Sequence, residues 1–320
     1  MFTVEAEERL PTPARYSLFH AVRNCLLKST TFLFMLASLC APFELPARAH
    51  AGSPATTINL AGVPAPYWFS KFCRPSDGDM WGVGGRSQIT HETRHEDHEF
   101  RPVKEDLSGV FFNERGVGFA VGSKGLILYT GDAGINWTRQ VSGVGADLNA
   151  VRCVGDGRCW VVGDAGVALH SADGGQNWDK LETKTTAAFY ALDFADDQHG
   201  WIVGEDGVVL YTGDGGQTWE NRNVKIVMFE GGAGEAVADL HAVRFVNESL
   251  GWVAGAAGIA RTADGGKSWK IIKLDESVIG IVSHDGKRAW AVTDSYSGKN
   301  FCSNDSGLTW QKCTASPKAR

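Results

Sequence analysis

The chain has 320 residues, 39 of them glycine and 11 tryptophan, with 21% charged residues and a formal net charge of −6. That length exceeds an ordinary compact domain, and all-β barrels and propellers are the architectures that run long as one unit; high Gly with many aromatics fits short strands joined by tight turns. The acidic balance argues against a general nucleic-acid binder, which carries a basic face, and leaves room only for a local basic patch.

In chain order, the first feature is a targeting segment. Arg15, Arg23 and Lys28 precede an apolar run, TTFLFMLASLCAP, and small-residue motifs follow at Ala47-Arg48-Ala49 and Ala49-His50-Ala51. A basic region, an apolar core and an A-x-A site predict a secretory signal over residues 1–51. The run is short for a permanent membrane helix, and an uncleaved anchor is the alternative. Leu39, where a small residue is needed, argues against lipidation at Cys40. No second apolar run of spanning length follows, so no anchor is expected after cleavage. Residues 52–66 read as a short segment with a role in ring closure, and residues 67–320 as the folded domain.

That domain opens on a degraded unit, WFSKFCRPSDGDMWGVGG, with Trp81 and Gly84 in register with later units. It continues into HETRHEDHEF, where His91, His95 and His98 stand among carboxylates. Such a density of imidazole and carboxylate suits a transition metal. On a helix the three histidines would share one face. A solvated polar hairpin or loop is the favoured alternative, because no second ligand cluster is evident.

Five further units carry one turn motif: YTGDAGINW, HSADGGQNW, YTGDGGQTW, RTADGGKSW and CSNDSGLTW. Their tryptophans, Trp137, Trp178, Trp219, Trp269 and Trp310, are spaced 41, 41, 50 and 41 residues apart. A period of this size points to propeller blades. Within FYALDFADDQHGWIVGEDGVVLYTGDGGQTWENR, four β-rich runs alternate with Gly and Asp turns: YALDF, GWIVG, GVVLYT and TWENR. The expected fold is therefore all-β, a propeller of four-stranded blades, with six units countable between about Tyr67 and Cys313 and a seventh blade as the alternative. In each turn, Asp132, Asp173, Asp214, Asp264 or Asp305 would accept backbone N–H groups, Gly would supply positive φ, and the Trp would start the outer strand and pack between sheets. The motif is thus read as structural.

The 50-residue interval contains NVKIVMFEGGAGEAVAD, an insertion between an outer strand and the next inner strand. Its Met228 and Phe229, followed by two glycines, suit an adaptable partner-binding loop or a neutral insertion. Lys124, Asp164, Glu205 and Asp206 are expected on the same face. Arg152 and Arg244 occupy equivalent first-strand positions, with Asp193 between them. They would line the central channel and bind an acidic segment, or pair with carboxylates. Cys153 and Cys159 flank one hairpin turn, and Cys302 and Cys313 flank the last Asp turn. Two disulfides are expected, leaving Cys73 over, in keeping with an exported chain. No cofactor and no catalytic residue is predicted.

The S/T-x-D-x-G-x-x-W turn resembles the Asp-box, or BNR repeat, of sialidases, sortilin-type receptors and related propellers. The longer pattern, L-x-A-V-x-F followed by GW-x-V-G and T-x-D-G-G-x-x-W, resembles the photosystem II stability/assembly factor family, over most of residues 67–313 and most strongly from Leu107 to Trp269. The resemblance implies an exported, non-catalytic propeller that binds a protein client, such as a membrane-complex subunit, during assembly. It implies the thylakoid lumen for photosynthetic members, and the periplasm or exterior otherwise. Photosynthetic members are expected to have seven blades, against six units here, and no arginine patch carries over residue by residue. The alternative is a glycan-binding or sialidase-like propeller. For that, Phe100-Arg101-Pro102 is only a weak echo of the sialidase start, and no distinctive Tyr/Glu pairing appears.

Overall fold

The computed structural model describes residues 69–73, 80–84, 88–92, 97–100, 103–155, 157–227, 237–283, 285–293 and 300–313. The expected signal segment, residues 52–66, His95, Met228 and Phe229 lie outside these. In the first sheet, Ile89 is the one side chain described.

The described residues form six four-stranded antiparallel sheets, each built from consecutive strands. The first joins β1 (Phe69–Cys73), β2 (Met80–Gly84), β3 (Gln88–Glu92) and β4 (Asp97–Phe100). The second joins β5 (Leu107–Phe112), β6 (Gly118–Gly122), β7 (Leu126–Thr130) and β8 (Thr138–Gln140). The third joins β9 (Leu148–Val154), β10 (Arg158–Gly163), β11 (Ala168–Ser171) and β12 (Asp179–Lys180). The fourth joins β13 (Phe189–Phe194), β14 (Gly200–Gly204), β15 (Val209–Thr212) and β16 (Glu220–Asn221). The fifth joins β17 (Leu240–Phe245), β18 (Gly251–Gly255), β19 (Gly258–Thr262) and β20 (Lys270–Lys273). The sixth joins β21 (Val278–Ser283), β22 (Ala289–Thr293), β23 (Phe301–Ser303) and β24 (Gln311–Lys312).

First strands pack side by side in the order β1, β5, β9, β13, β17, β21, so they lie nearest a common axis. The packed pairs among the described residues run from the first sheet to the sixth. This is the architecture of a β-propeller. Among the described residues no helix is long and apolar enough to cross a membrane.

Burial explains the pattern in each unit. Second strands such as GWIVG and GWVAG are buried along their whole length. A central strand covered on both faces reads as an apolar run rather than an alternation. Outer strands are short and largely exposed. Between sheets, aromatic rings form a repeated stack. Trp160 of β10 lies on Phe194 of the fourth sheet, with centroids 3.9 Å apart, and Trp201 of β14 lies on Phe245 of the fifth at 3.5 Å. The turn tryptophans meet the same phenylalanines edge-on: Trp219 on Phe194 and Trp269 on Phe245. Trp160, Trp201 and Trp252 are almost fully buried. Each such indole contributes roughly 4–6 kcal/mol of transfer free energy by area.

One expectation needs correction. The turn tryptophans precede the outer strand rather than begin it, and TWENR shrinks to Glu220–Asn221. For Trp137, Trp219 and Trp269 the indole turns inward onto the inner-strand phenylalanine, which takes its residue out of the ladder. The strand pairing agrees with the favoured hairpin reading of the histidine segment and not with a helix. His91 lies in β3 and His98 in β4, directly opposite each other in an antiparallel pair.

Candidate partner-binding face

The two ends of the ring differ in what their side chains do. At one end lie the Asp turns, and their carboxylates are fully engaged. Thr212 Oγ1 donates to Asp214 Oδ1 at 2.7 Å and accepts the Gly216 N–H at 2.8 Å. Thr218 gives its N–H to Oδ1 and its hydroxyl to Oδ2. The same set recurs around Asp132, Asp173, Asp264 and Asp305. Gly216 has a φ of 92°, and a Cβ there would meet Trp160 Nε1 of the preceding sheet at 2.7 Å. Trp160 Nε1 donates to the Gly215 carbonyl, and Trp201 Nε1 to that of Gly265, so the turns also latch neighbouring sheets.

These hydrogen bonds stabilise the charged carboxylate. The N–H and amide of Asn177, with the Ser171 hydroxyl, hold Asp173 down to about 2. The Ser268 hydroxyl leads the groups that hold Asp264 down to about 2. Asp305, bound first by the Thr309 hydroxyl, lies well below the usual carboxylate range. The sequence motif includes the Ser or Thr two residues before the Asp, but assigns no role to that buried hydroxyl or to the polar residue four after the Asp. Both repeat at fixed offsets in the five units that carry the motif, so the signal was present.

Along the axis, the arginines are brought together as their spacing implied. Arg152 Nε stands 3.5 Å from Asp193 Oδ1, and Arg244 Nη1 stands 3.3 Å from Asp193 Oδ2. Asp193 also accepts the Phe245 N–H at 2.9 Å, and Arg244 Nε donates to the Ser283 carbonyl. All three side chains are mostly buried. Of the two expected roles, pairing with a carboxylate is the one the geometry displays.

The other end of the ring gathers the turns between second and third strands. Their N–H groups bond to residues ahead of the inner strands: Ser123 to the Asp106 carbonyl, Lys124 to Asp147 Oδ1, Glu205 to the Ala188 carbonyl and Asp206 to Asp239 Oδ1. This places Lys124, Asp164, Glu205 and Asp206 on one face, as expected. The stem of the insertion lies here too. Val227 pairs with Val237, and Ile226 and Ala238 are buried.

Every inner strand carries a β-bulge at its second residue on this end. Pairing skips from Phe69 to Lys71, Leu107 to Gly109, Leu148 to Ala150, Phe189 to Ala191, Leu240 to Ala242 and Val278 to Gly280. The skipped positions are Ser70, Ser108, Asn149, Tyr190, His241 and Ile279. The last five are half-buried or exposed, beside buried neighbours. Asn149 Nδ2 donates to Asp164 Oδ1 and to the Phe189 carbonyl, and the Tyr190 and His241 rings lie 5.1 Å apart. These positions were not singled out from sequence, because a bulge leaves no signature in a single unit.

Both expected disulfides are present, Cys153–Cys159 and Cys302–Cys313. Among the described residues no group of three or more His, Cys, Asp or Glu side chains is placed to hold a metal ion. The side chains of His91, His98 and Cys73 lie outside the description.

No curated protein matches the chain. Among solved structures, "YCF48 bound to D1 peptide" is similar at 18% identity and a TM-score of 0.59, over 74% of this chain and 79% of that one. YCF48 from Cyanidioschyzon merolae is similar at 15% identity and a TM-score of 0.58, over 77% of this chain and 85% of that one. An ancestral GH74 enzyme matches at 15% identity and a TM-score of 0.52, over 76% of this chain but 32% of its own. At such identities the likeness shows the fold. The family described as Photosynthesis system II assembly factor YCF48 is matched over residues 89–187 and 177–317. With most of its length matched in two consecutive spans, the chain belongs to the photosynthesis system II assembly factor YCF48 family.

Proposed function

We propose that this chain is an exported, non-catalytic propeller scaffold that binds a protein client during assembly of a membrane complex. The ring supplies a rigid platform, and the face with the second-to-third-strand turns and the Met228–Phe229 insertion meets the client. The observation that carries the reading is the family match, together with the likeness to a YCF48 structure solved with a D1 peptide. The turn carboxylates support a structural role for the opposite end, since their oxygens are engaged within the chain. We retain six blades, one per described sheet, with seven as the alternative raised by the family resemblance. Class averages viewed down the axis by electron microscopy would count them.

The functional test is affinity capture of the exported protein from its own cell envelope. The control is a deletion of residues 228–236, which spares the buried Ile226 and Ala238 at the stem. Recovery of one membrane-complex subunit, reduced by the deletion, supports the proposal. Hydrolysis of a chromogenic sialoside, with no client recovered, overturns it in favour of the glycan-active alternative.

A further inference from the structure

We propose that the bulged residues at the channel mouth form the client-recognition surface, and that it takes an extended segment carrying apolar or aromatic side chains interspersed with Lys or Arg. This rests on the protein-binding function proposed above. A bulge re-aims one side chain out of the ladder, and bulges concentrate at barrel rims and beside functional sites. Here the device repeats in all six sheets at the same end of the axis. The re-aimed residues are chemically graded around the mouth. Ser108 and Asn149 are polar, whereas Tyr190, His241 and Ile279 follow on successive sheets as an aromatic and apolar arc. Ile279 is 49% exposed, unusual for an isoleucine on the innermost strand of a sheet.

Charge selects the occupant. Around this arc, Asp164 lies within the Asn149–Phe189 hydrogen-bond group, and Glu205 Oε2 accepts the Ala188 N–H two residues before Tyr190. Asp206 and Asp239 meet beside the start of the strand that carries His241. Deeper along the axis, Arg152 and Arg244 share one carboxylate and leave one net positive charge, and Lys124 adds another on this face, but the four rim carboxylates outnumber both. The complement of an apolar arc inside an acidic rim is a cationic, apolar peptide, with its apolar side chains on the arc giving affinity and the charges giving selection.

The test uses two short fluorescent peptides, one alternating Lys with Leu and Phe, the other with every Lys changed to Glu. Binding to the full chain is read by anisotropy. The Lys peptide is expected to bind at least about tenfold more tightly than its Glu twin and to weaken as salt rises. Tyr190→Ala and Ile279→Ser should each weaken it by about tenfold. Glu205→Gln combined with Asp206→Asn should erase most of the preference between the twins. Unchanged thermal unfolding of these variants separates recognition from folding. Equal or tighter binding of the Glu peptide, unchanged affinity in the arc variants, or no binding of either peptide overturns the assignment. Capture from the envelope separates this failure from that of the wider reading. A client retained by Ile279→Ser leaves the scaffold function standing and moves its site elsewhere, whereas no client with the unaltered chain sinks the function itself.

Discussion

At the scale of single residues, the carboxylates do two kinds of work. In the turns they stay charged because every oxygen accepts hydrogen bonds, and this links stability to pH. Asp173 and Asp264 titrate near 2 in the folded chain against an ordinary value of 3.8. A depressed folded value means the stabilisation is complete above about pH 4 and is lost as pH falls toward 2. The melting temperature should therefore drop steeply across that window. In Asp264→Asn the drop should be shallower, with the neutral-pH melting temperature already lowered; an identical acid limb would contradict the assignment. On the axis, Asp193 pairs with two mostly buried guanidinium groups and accepts the Phe245 N–H. Asp193→Ala should cost about 3–5 kcal/mol in urea unfolding, because it removes the carboxylate that two buried guanidinium groups share. Asp193→Asn keeps an acceptor for the N–H and should cost less. A loss under about 0.5 kcal/mol for the alanine variant would show that the triad is not structural.

At the scale of the element, the seam between sheets is an aromatic sandwich. Trp201 lies flat on Phe245, Trp269 meets Phe245 edge-on, and Trp201 Nε1 reaches the next Asp turn at 3.0 Å. Trp201→Ala should cost about 3–5 kcal/mol, as for other large buried aromatics. Trp201→Phe keeps most of the apolar area, loses the hydrogen bond and should cost nearer 1–2 kcal/mol. Because the rings are in contact, the Trp201→Ala, Phe245→Ala double variant should lose clearly less than the sum of the singles. Strict additivity in chemical unfolding would contradict the sandwich. Much of this element was legible in sequence. The period, the four runs and the Asp-Gly-Trp turn pointed to four-stranded units and their strand order, since turn chemistry and apolar runs are local. The partner of each indole was not, because Trp201 and Gly265 lie 64 positions apart and only packing joins them.

At the scale of the molecule, the same division holds. That Arg152, Asp193 and Arg244 share one row followed from equivalent positions in the repeat, but which charges neutralise which required the spacing of neighbouring sheets. The bulged inner-strand positions were illegible because a skipped ladder pair is a property of two strands, not of one run of residues. Both disulfides were legible because each closes a single hairpin, yet the fold gives them different exposure. Cys153 and Cys159 are buried in the apolar seam with Phe111, Phe119 and Val161. Cys302 and Cys313 are only half-buried, and they bracket β24, an outer strand of two residues. Exchange needs a thiolate to reach sulfur, so access ranks the two bonds. Under graded reductant at neutral pH, mass-spectrometric thiol labelling should therefore modify Cys302 and Cys313 first, with the chain still folded. Cys153 and Cys159 should be labelled only where urea unfolds the ring. Loss of the outer bond should lower stability by about 2–3 kcal/mol, the scale for closing a loop of this size. Labelling of Cys153 and Cys159 in the folded chain at equal or lower reductant would mean that the seam between the second and third sheets opens before the outer edge does.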